Sequence, residues 1–321
     1  MNKIIKLKPA FKDNLWGGTK LRTLYGKQCD FKIIAESWEL SDHPAGQSIV
    51  ATGEMEGKMF HEYLEKIGRE GLGSNCDKFE NFPVLIKFID AKEPLSIQVH
   101  PSDEYALANE GQYGKTEMWY ILDCEPGASL YYGVNREVTP EEFKERIENN
   151  TVLEVLNKAE VHKGDVFFID AGTIHSIGAG IIICEIQQNS NCTYRVYDFD
   201  RRDAQGNPRE LHVDKAMAVS NFLPVTRDIG AFGPSEPCGQ GTKQLLGQCK
   251  YFTTTKYQIN GEVEIPIDKT SFRSMIVVEG EGMITVEDEI IQARKGDSIF
   301  VPARNGLIQI KGQCQVILTQ I

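Results

Sequence analysis

Short apolar or alternating runs bounded by Gly, Pro and Asp recur along this chain, and they constrain its fold more than any other feature. Pro83 to Ile89, Leu95 to Val99, Met118 to Leu122, Val166 to Ile169, Ile181 to Ile186, Ser274 to Val278 and Ser298 to Val301 all have this form. Runs this short suit strands, because an amphipathic helix needs a 3.6-residue stripe sustained over roughly ten residues or more. Their close spacing points to an antiparallel sandwich or barrel rather than βαβ units. The expected fold class is mainly β.

Two stretches echo each other. Lys163-Gly164-Asp165-Val166-Phe167-Phe168-Ile169-Asp170-Ala171 and Lys295-Gly296-Asp297-Ser298-Ile299-Phe300-Val301-Pro302-Ala303 both read as a turn, an apolar strand and a second turn. Such a repeat suits a duplicated barrel. Between the halves, Pro224 to Gly247 is rich in Gly, Pro and polar residues and reads as connecting chain. We therefore expect a first domain over 1–230, a linker over 231–247 and a C-terminal barrel over 248–321. Helical signals are fewer. Thr139-Pro140-Glu141-Glu142 has the form of a capping box with Pro in the first turn, and it predicts a helical insertion at about 139–160, broken near Asn149-Asn150. Gly57 to Arg69 and His212 to Asn221 are further helix candidates.

The formal net charge of −11 argues against nucleic acid and anionic membrane as partners. A phosphorylated ligand would then need its own local cluster of Lys and Arg. No apolar run approaches the roughly 18 residues that span a bilayer. Met1 to Lys8 alternates Lys with Ile and Leu instead of forming a signal peptide's apolar stretch, so a cytoplasmic location is expected. None of the eight cysteines forms a C-x-x-C pair, and free thiols are expected.

Groups able to bind a metal concentrate in the first half. Gln98-Val99-His100 ends an apolar strand, and residues two apart on a strand share a face, so Gln98 and His100 can reach one ion. Glu117 opens the next predicted strand, and His175 lies beyond the Gly164–Ala171 repeat. A lone histidine on an apolar face is more often a hydrogen-bonded core residue than a ligand. The order Gln/His, then Glu, then a distant His after a Gly-Asp turn reverses those odds, because it resembles the two metal motifs of cupins. Two imidazoles, one carboxylate and one amide oxygen suit Zn²⁺, and equally Mn²⁺, Fe²⁺, Co²⁺ or Ni²⁺.

Longer stretches carry a closer resemblance. PLSIQVHPSDEYA (94–106), KTEMWYIL (115–122), DAGTIHSIGAGIIICEIQQNSNCTYRVYDF (170–199) and LHVDKA (211–216), together with NLWGG (14–18) and ESWELSDHPAG (36–46), resemble type I mannose-6-phosphate isomerases of the cupin superfamily in their short bacterial form. The resemblance covers nearly the whole chain. It implies two cupin-type jelly-roll β-barrels and a zinc-dependent aldose–ketose isomerase acting on a sugar phosphate, with one Zn²⁺ per chain held by Gln98, His100, Glu117 and His175. It also implies active-site positions for Lys115, Glu185 and Arg195. The C-terminal barrel is expected to bind no metal: aligning the repeat sets His175 opposite Leu307, and residues 231–321 contain no histidine.

The residues suit that chemistry. Interconverting mannose 6-phosphate and fructose 6-phosphate moves a proton between C1 and C2, most simply through a cis-enediol. Glu185 ends an apolar strand, where an unpaired carboxylate would be costly, and it is the favoured general base. A metal-bound hydroxide and a deprotonated Lys115 are the other candidates. Lys115 and Arg195 can steady the enediolate or hold the phosphate. The alternatives are a non-catalytic sugar-binding cupin, an isomerase of another sugar phosphate and a cupin oxygenase. A sensor would not need Lys115, Glu185 and Arg195 beside the metal, and the Gln98 amide disfavours the oxygenase.

Overall fold

The computed structural model describes residues 4–202 and 205–321. The chain divides into two compact units. One comprises the N-terminal residues to Asp13, Thr19–Phe88 and Gly230–Ile321; the other comprises Asn14–Gly18 and Ile89–Ile229.

The first unit is built on one nine-stranded sheet. Its order is Ser235–Pro237, Gly241–Gln248, Thr253–Ile267, Gly306–Gln320, Arg273–Val286, Ser298–Val301, Ile5–Lys8 and Ile49–Val50, with Glu289–Arg294 pairing off Arg273–Val286. Thr253–Ile267 and Gly306–Gln320 pair along their whole length, from Thr253 opposite Gln320 to Ile267 opposite Gly306. Tyr257, Ile259, Val263, Ile265 and Ile267 alternate into the core, facing Ile308, Ile310, Cys314, Val316 and Leu318 from the partner strand. A one-residue slip would turn that row to solvent, at roughly 1.5–3 kcal/mol per large aliphatic side chain, so the pattern sets the register.

Two expectations about organisation differ from this. The division at 231–247 does not hold, because Ser235–Pro237 and Gly241–Gln248 are paired strands. The first unit also takes in Thr19–Phe88, and Ile5 lies opposite Phe300 in its sheet. The first difference comes from two successive hairpins whose composition does not announce strands, the second from long-range pairing that no local pattern shows.

The second unit carries a five-stranded sheet in the order Tyr194–Tyr197, Ile97–Val99, His175–Ser176, Ser129–Val134 and Leu156–Glu160. Beside it, Glu117–Cys124 lies between Val166–Ile169 and Ile181–Gln188, antiparallel to both. Helix Pro140–Glu148 starts as expected: Thr139 Oγ1 accepts from Glu142 N at 3.1 Å, and Pro140 occupies the first turn. It ends earlier than the predicted 139–160, because Asn149 caps it, Asn150 turns left-handed at φ 57°, and Leu156–Glu160 joins the sheet beside Ser129–Val134.

The repeated stretch holds at the level of single bonds. Gly164 and Gly296 adopt φ of 95° and 92°, a region open chiefly to glycine. Asp165 Oδ2 accepts from His162 N at 2.7 Å, and Asp297 Oδ2 accepts from Arg294 N at 2.9 Å. Each turn then exchanges bonds with its neighbouring strand, Gly164 and Asp165 with Ile121, and Gly296 and Asp297 with Val277. Following the two registers outward sets Ile169 opposite Glu117 and Val301 opposite Arg273. Glu117 in one unit and Arg273 in the other are thus counterparts, and both are buried. Among the described residues no helix is long and apolar enough to cross a membrane, and the eight cysteines are free.

Candidate active site

Strand register assembles the cluster. Arg195, Gln98 and His175 lie opposite one another across three adjacent strands, which puts their side chains on one face. His100 follows Val99 directly, and its ring centroid is 4.8 Å from that of His175. Glu117 opens strand Glu117–Cys124. Ligand-type atoms of His100, Glu117 and His175 lie within 4.8 Å of one another. All three side chains are at most 1% exposed.

The hydrogen bonds decide which atoms face inward. His100 Nδ1 donates to Cys192 O and His175 Nδ1 donates to Thr173 O, each at 2.8 Å. With the proton on Nδ1, each Nε2 presents a lone pair. His100 Nε2 lies 3.7 Å from Glu117 Oε2, and His175 Nε2 lies 3.4 Å from Glu117 Oε1. Burial pushes the His175 imidazole down to about 4, so it stays neutral near pH 7. Acceptors therefore face acceptors in a buried space, an arrangement that fits a cation among them. Carbonyls that orient ligating imidazoles are the usual partners around such a metal. Gln98 lies alongside, its amide nitrogen 3.5 Å from His175 Nε2 and its oxygen accepting from Ser96 Oγ at 3.3 Å. A half-turn of the amide exchanges the two atoms and presents the oxygen.

Lys115 and Glu185 adjoin this cluster. Lys115 Nζ is 2.9 Å from Glu117 Oε2 and 3.7 Å from Glu185 Oε1. Trp119 Nε1 donates to Glu185 Oε2 at 2.9 Å. Two carboxylates and one ammonium sum to one negative charge in a buried region, where a further cation lowers the cost of desolvation. Sequence reasoning missed Trp119, although Lys115, Glu117 and Trp119 follow the same alternation that placed the first two together. Arg195 joins the others through register with Gln98, and its Nη1 donates to Glu210 O at 2.9 Å. Burial, more than the neighbouring Arg209, lowers its pKa.

Fold and cluster together define a mainly-β protein of cupin type with a candidate metal centre. Residues 4–123 match the type I phosphomannose isomerase catalytic domain, and residues 242–321 match the mannose-6-phosphate isomerase cupin domain. The mannose-6-phosphate isomerase ManA of Bacillus subtilis is 36% identical over 317 residues, 98% of each chain. That of Streptococcus mutans is 38% identical over 305 residues, 94% of this chain and 93% of the other. A crystal structure of mannose 6-phosphate isomerase from Bacillus subtilis aligns with a TM-score of 0.90 at 38% identity, covering 99% of both chains. The chain belongs to the type I mannose-6-phosphate isomerase family.

Proposed function

We propose that the protein interconverts mannose 6-phosphate and fructose 6-phosphate with one Zn²⁺ held by Gln98, His100, Glu117 and His175. The observation that carries the metal reading is the pair of imidazoles whose Nδ1 atoms are committed to carbonyls while both Nε2 lone pairs face the Glu117 carboxylate. Bound zinc would polarise the substrate carbonyl and the adjacent hydroxyl as a Lewis acid.

The chain's own groups do the rest. Glu185 takes the proton from C2 and returns it to C1 while the O2 hydroxyl proton passes to O1, through a cis-enediol. The Trp119 bond to Oε2 orients that carboxylate, and Oε1 is the oxygen nearer Lys115. Lys115 and Arg195 stabilise the negative charge that develops on the sugar oxygens or hold the phosphate, and they supply local positive charge in a chain of net −11. The C-terminal strands carry no metal in this reading. Arg273 occupies the counterpart of Glu117, and residues 231–321 contain no histidine. The eight free thiols support a cytoplasmic setting.

A coupled assay with mannose 6-phosphate, run with and without chelator, tests the activity. Zinc analysis of desalted protein tests the site: one equivalent per chain is expected, lost entirely in His175→Ala. Turnover that survives complete chelation, or a second tightly held equivalent, overturns the assignment.

A further inference from the structure

Strand Tyr194–Tyr197 is an edge strand of its five-stranded sheet, with Ile97–Val99 as its neighbour. Alternate residues of an edge strand turn their N–H and C=O outward, and those groups need partners. At Arg195 both find the same residue. His212 N donates to Arg195 O at 2.7 Å, and Arg195 N donates to His212 Nδ1 at 3.3 Å. Since these groups point outward, Arg195 and Gln98 form the non-hydrogen-bonded kind of antiparallel pair, in which facing side chains are closest, with Cα atoms about 4.5 Å apart.

Two residues earlier, Glu210 O accepts from Arg195 Nη1 at 2.9 Å. The segment 210–212 thus holds Arg195 by its main-chain N–H, its main-chain carbonyl and its guanidinium. That segment is itself anchored. Arg209 donates to Asp198 through Nε at 2.7 Å and Nη2 at 2.5 Å, and helix Val213–Val219 begins at the residue after His212. Accepting at Nδ1 requires a neutral imidazole protonated on Nε2. Burial first, and then the Arg195 charge, hold the His212 pKa below its ordinary range.

We infer that His212 is a positioning residue for the isomerisation, standing in for a missing neighbour strand and fixing Arg195 beside the Gln98–His175 face. The inference rests on the active-site role of Arg195 proposed above. Asparagine at this position keeps a side-chain acceptor close to where Nδ1 sits, whereas alanine removes it; both retain the main-chain donor.

The test measures kcat and KM for mannose 6-phosphate, zinc content and melting midpoint for His212→Ala, His212→Asn, Arg195→Ala and the double variant His212→Ala/Arg195→Ala. His212→Ala should lower kcat/KM by about tenfold or more with zinc retained, and His212→Asn should recover to within about threefold of wild type. In the Arg195→Ala background, His212→Ala should cost nothing further, because two residues acting as one unit are not additive. Wild-type turnover in His212→Ala, asparagine no better than alanine, or additive losses in the double variant overturns the inference. Full turnover in Arg195→Ala instead sinks the role of Arg195, and that variant leaves His212 untouched.

Discussion

Glu117→Gln distinguishes a metal ligand from a structural ion pair. The substitution keeps the shape of the side chain and removes one charge. Glu117 Oε2 lies 2.9 Å from Lys115 Nζ. If the carboxylate serves only to pair Lys115, its loss costs about 3–5 kcal/mol, the usual penalty for breaking a buried pair. The geometry gives a different expectation for the chelated protein. Both oxygens face imidazole acceptors at 3.4 and 3.7 Å, and the charges of Lys115, Glu117 and Glu185 sum to −1. In the variant they sum to zero, Glu185 remains 3.7 Å from Lys115, and the new amide can donate to an imidazole, which contributes about 0.5–1.5 kcal/mol. The chelated variant should therefore melt within about 1 kcal/mol of the chelated wild type. With free zinc at about a hundredfold its dissociation constant, the wild type should gain about 2.7 kcal/mol and the variant nothing. At about 2–4 °C per kcal/mol that is roughly 5 °C or more in midpoint. Scanning calorimetry with and without chelator reads both numbers. A variant that gains as much from zinc as the wild type, or a chelated variant about 3 kcal/mol less stable, refutes the reasoning.

Other outcomes follow from the same site. Glu185→Gln should keep the fold and the zinc while abolishing exchange of the substrate C2 proton with solvent; exchange at the wild-type rate would assign the base elsewhere. Trp119→Phe removes the donor to Glu185 Oε2 and should lower kcat by about tenfold or more with little change in KM, from the loss of one bond to a charged group worth about 1.5–3 kcal/mol; an unchanged kcat would show that the bond does not orient the carboxylate. Acidification should destabilise the chelated protein. Burial holds His175 at about 4, below the ordinary imidazole value of about 6.5, so the unfolded chain binds the extra proton first and stability falls as pH drops from 6.5 towards 4. A His175→Asn variant should lose that part of the slope, and an unchanged pH profile would remove the imidazole as its source.

Much of this was legible because strands write their pattern locally. Val166–Ile169 and Ser298–Val301 fall at their expected boundaries, each introduced by a Gly-Asp turn. Gln98 and His100 share a face by simple alternation, and the cupin-like order of Gln98, His100, Glu117 and His175 brought the distant His175 into the same set. The structure places these four side chains together. The segment 231–247 misled because Gly, Pro and Gln have low strand propensity; there, pairing of Gly241–Gln248 with Thr253–Ile267 overrides composition. Leu156–Glu160 was hidden for a related reason. LNKAE has the polarity of a helix end, and only the partner strand Ser129–Val134 makes it extended. The hold of His212 on Arg195 could not be read at all. It depends on which way an edge strand's main-chain groups point.

The counterpart positions Glu117 and Arg273 have a physiological corollary. Arg273 is a cation covalently built into its strand, and its guanidinium donates to Ser271 O at 2.6 Å and Phe272 O at 3.1 Å. No scavenger can strip it out, and its guanidinium stays charged across the physiological pH range, although burial pulls its pKa down. Where Glu117 stands, Lys115 supplies one built-in positive charge at 2.9 Å, and in the proposed function a metal ion from the surrounding solution supplies the rest. The same turn-and-strand design thus exists once in a self-sufficient edition and once in an edition hostage to nutrition. If the proposed metal centre holds, metal starvation stops turnover while the sheet around Arg273 stays folded, and the dormant chain resumes work on resupply without fresh synthesis.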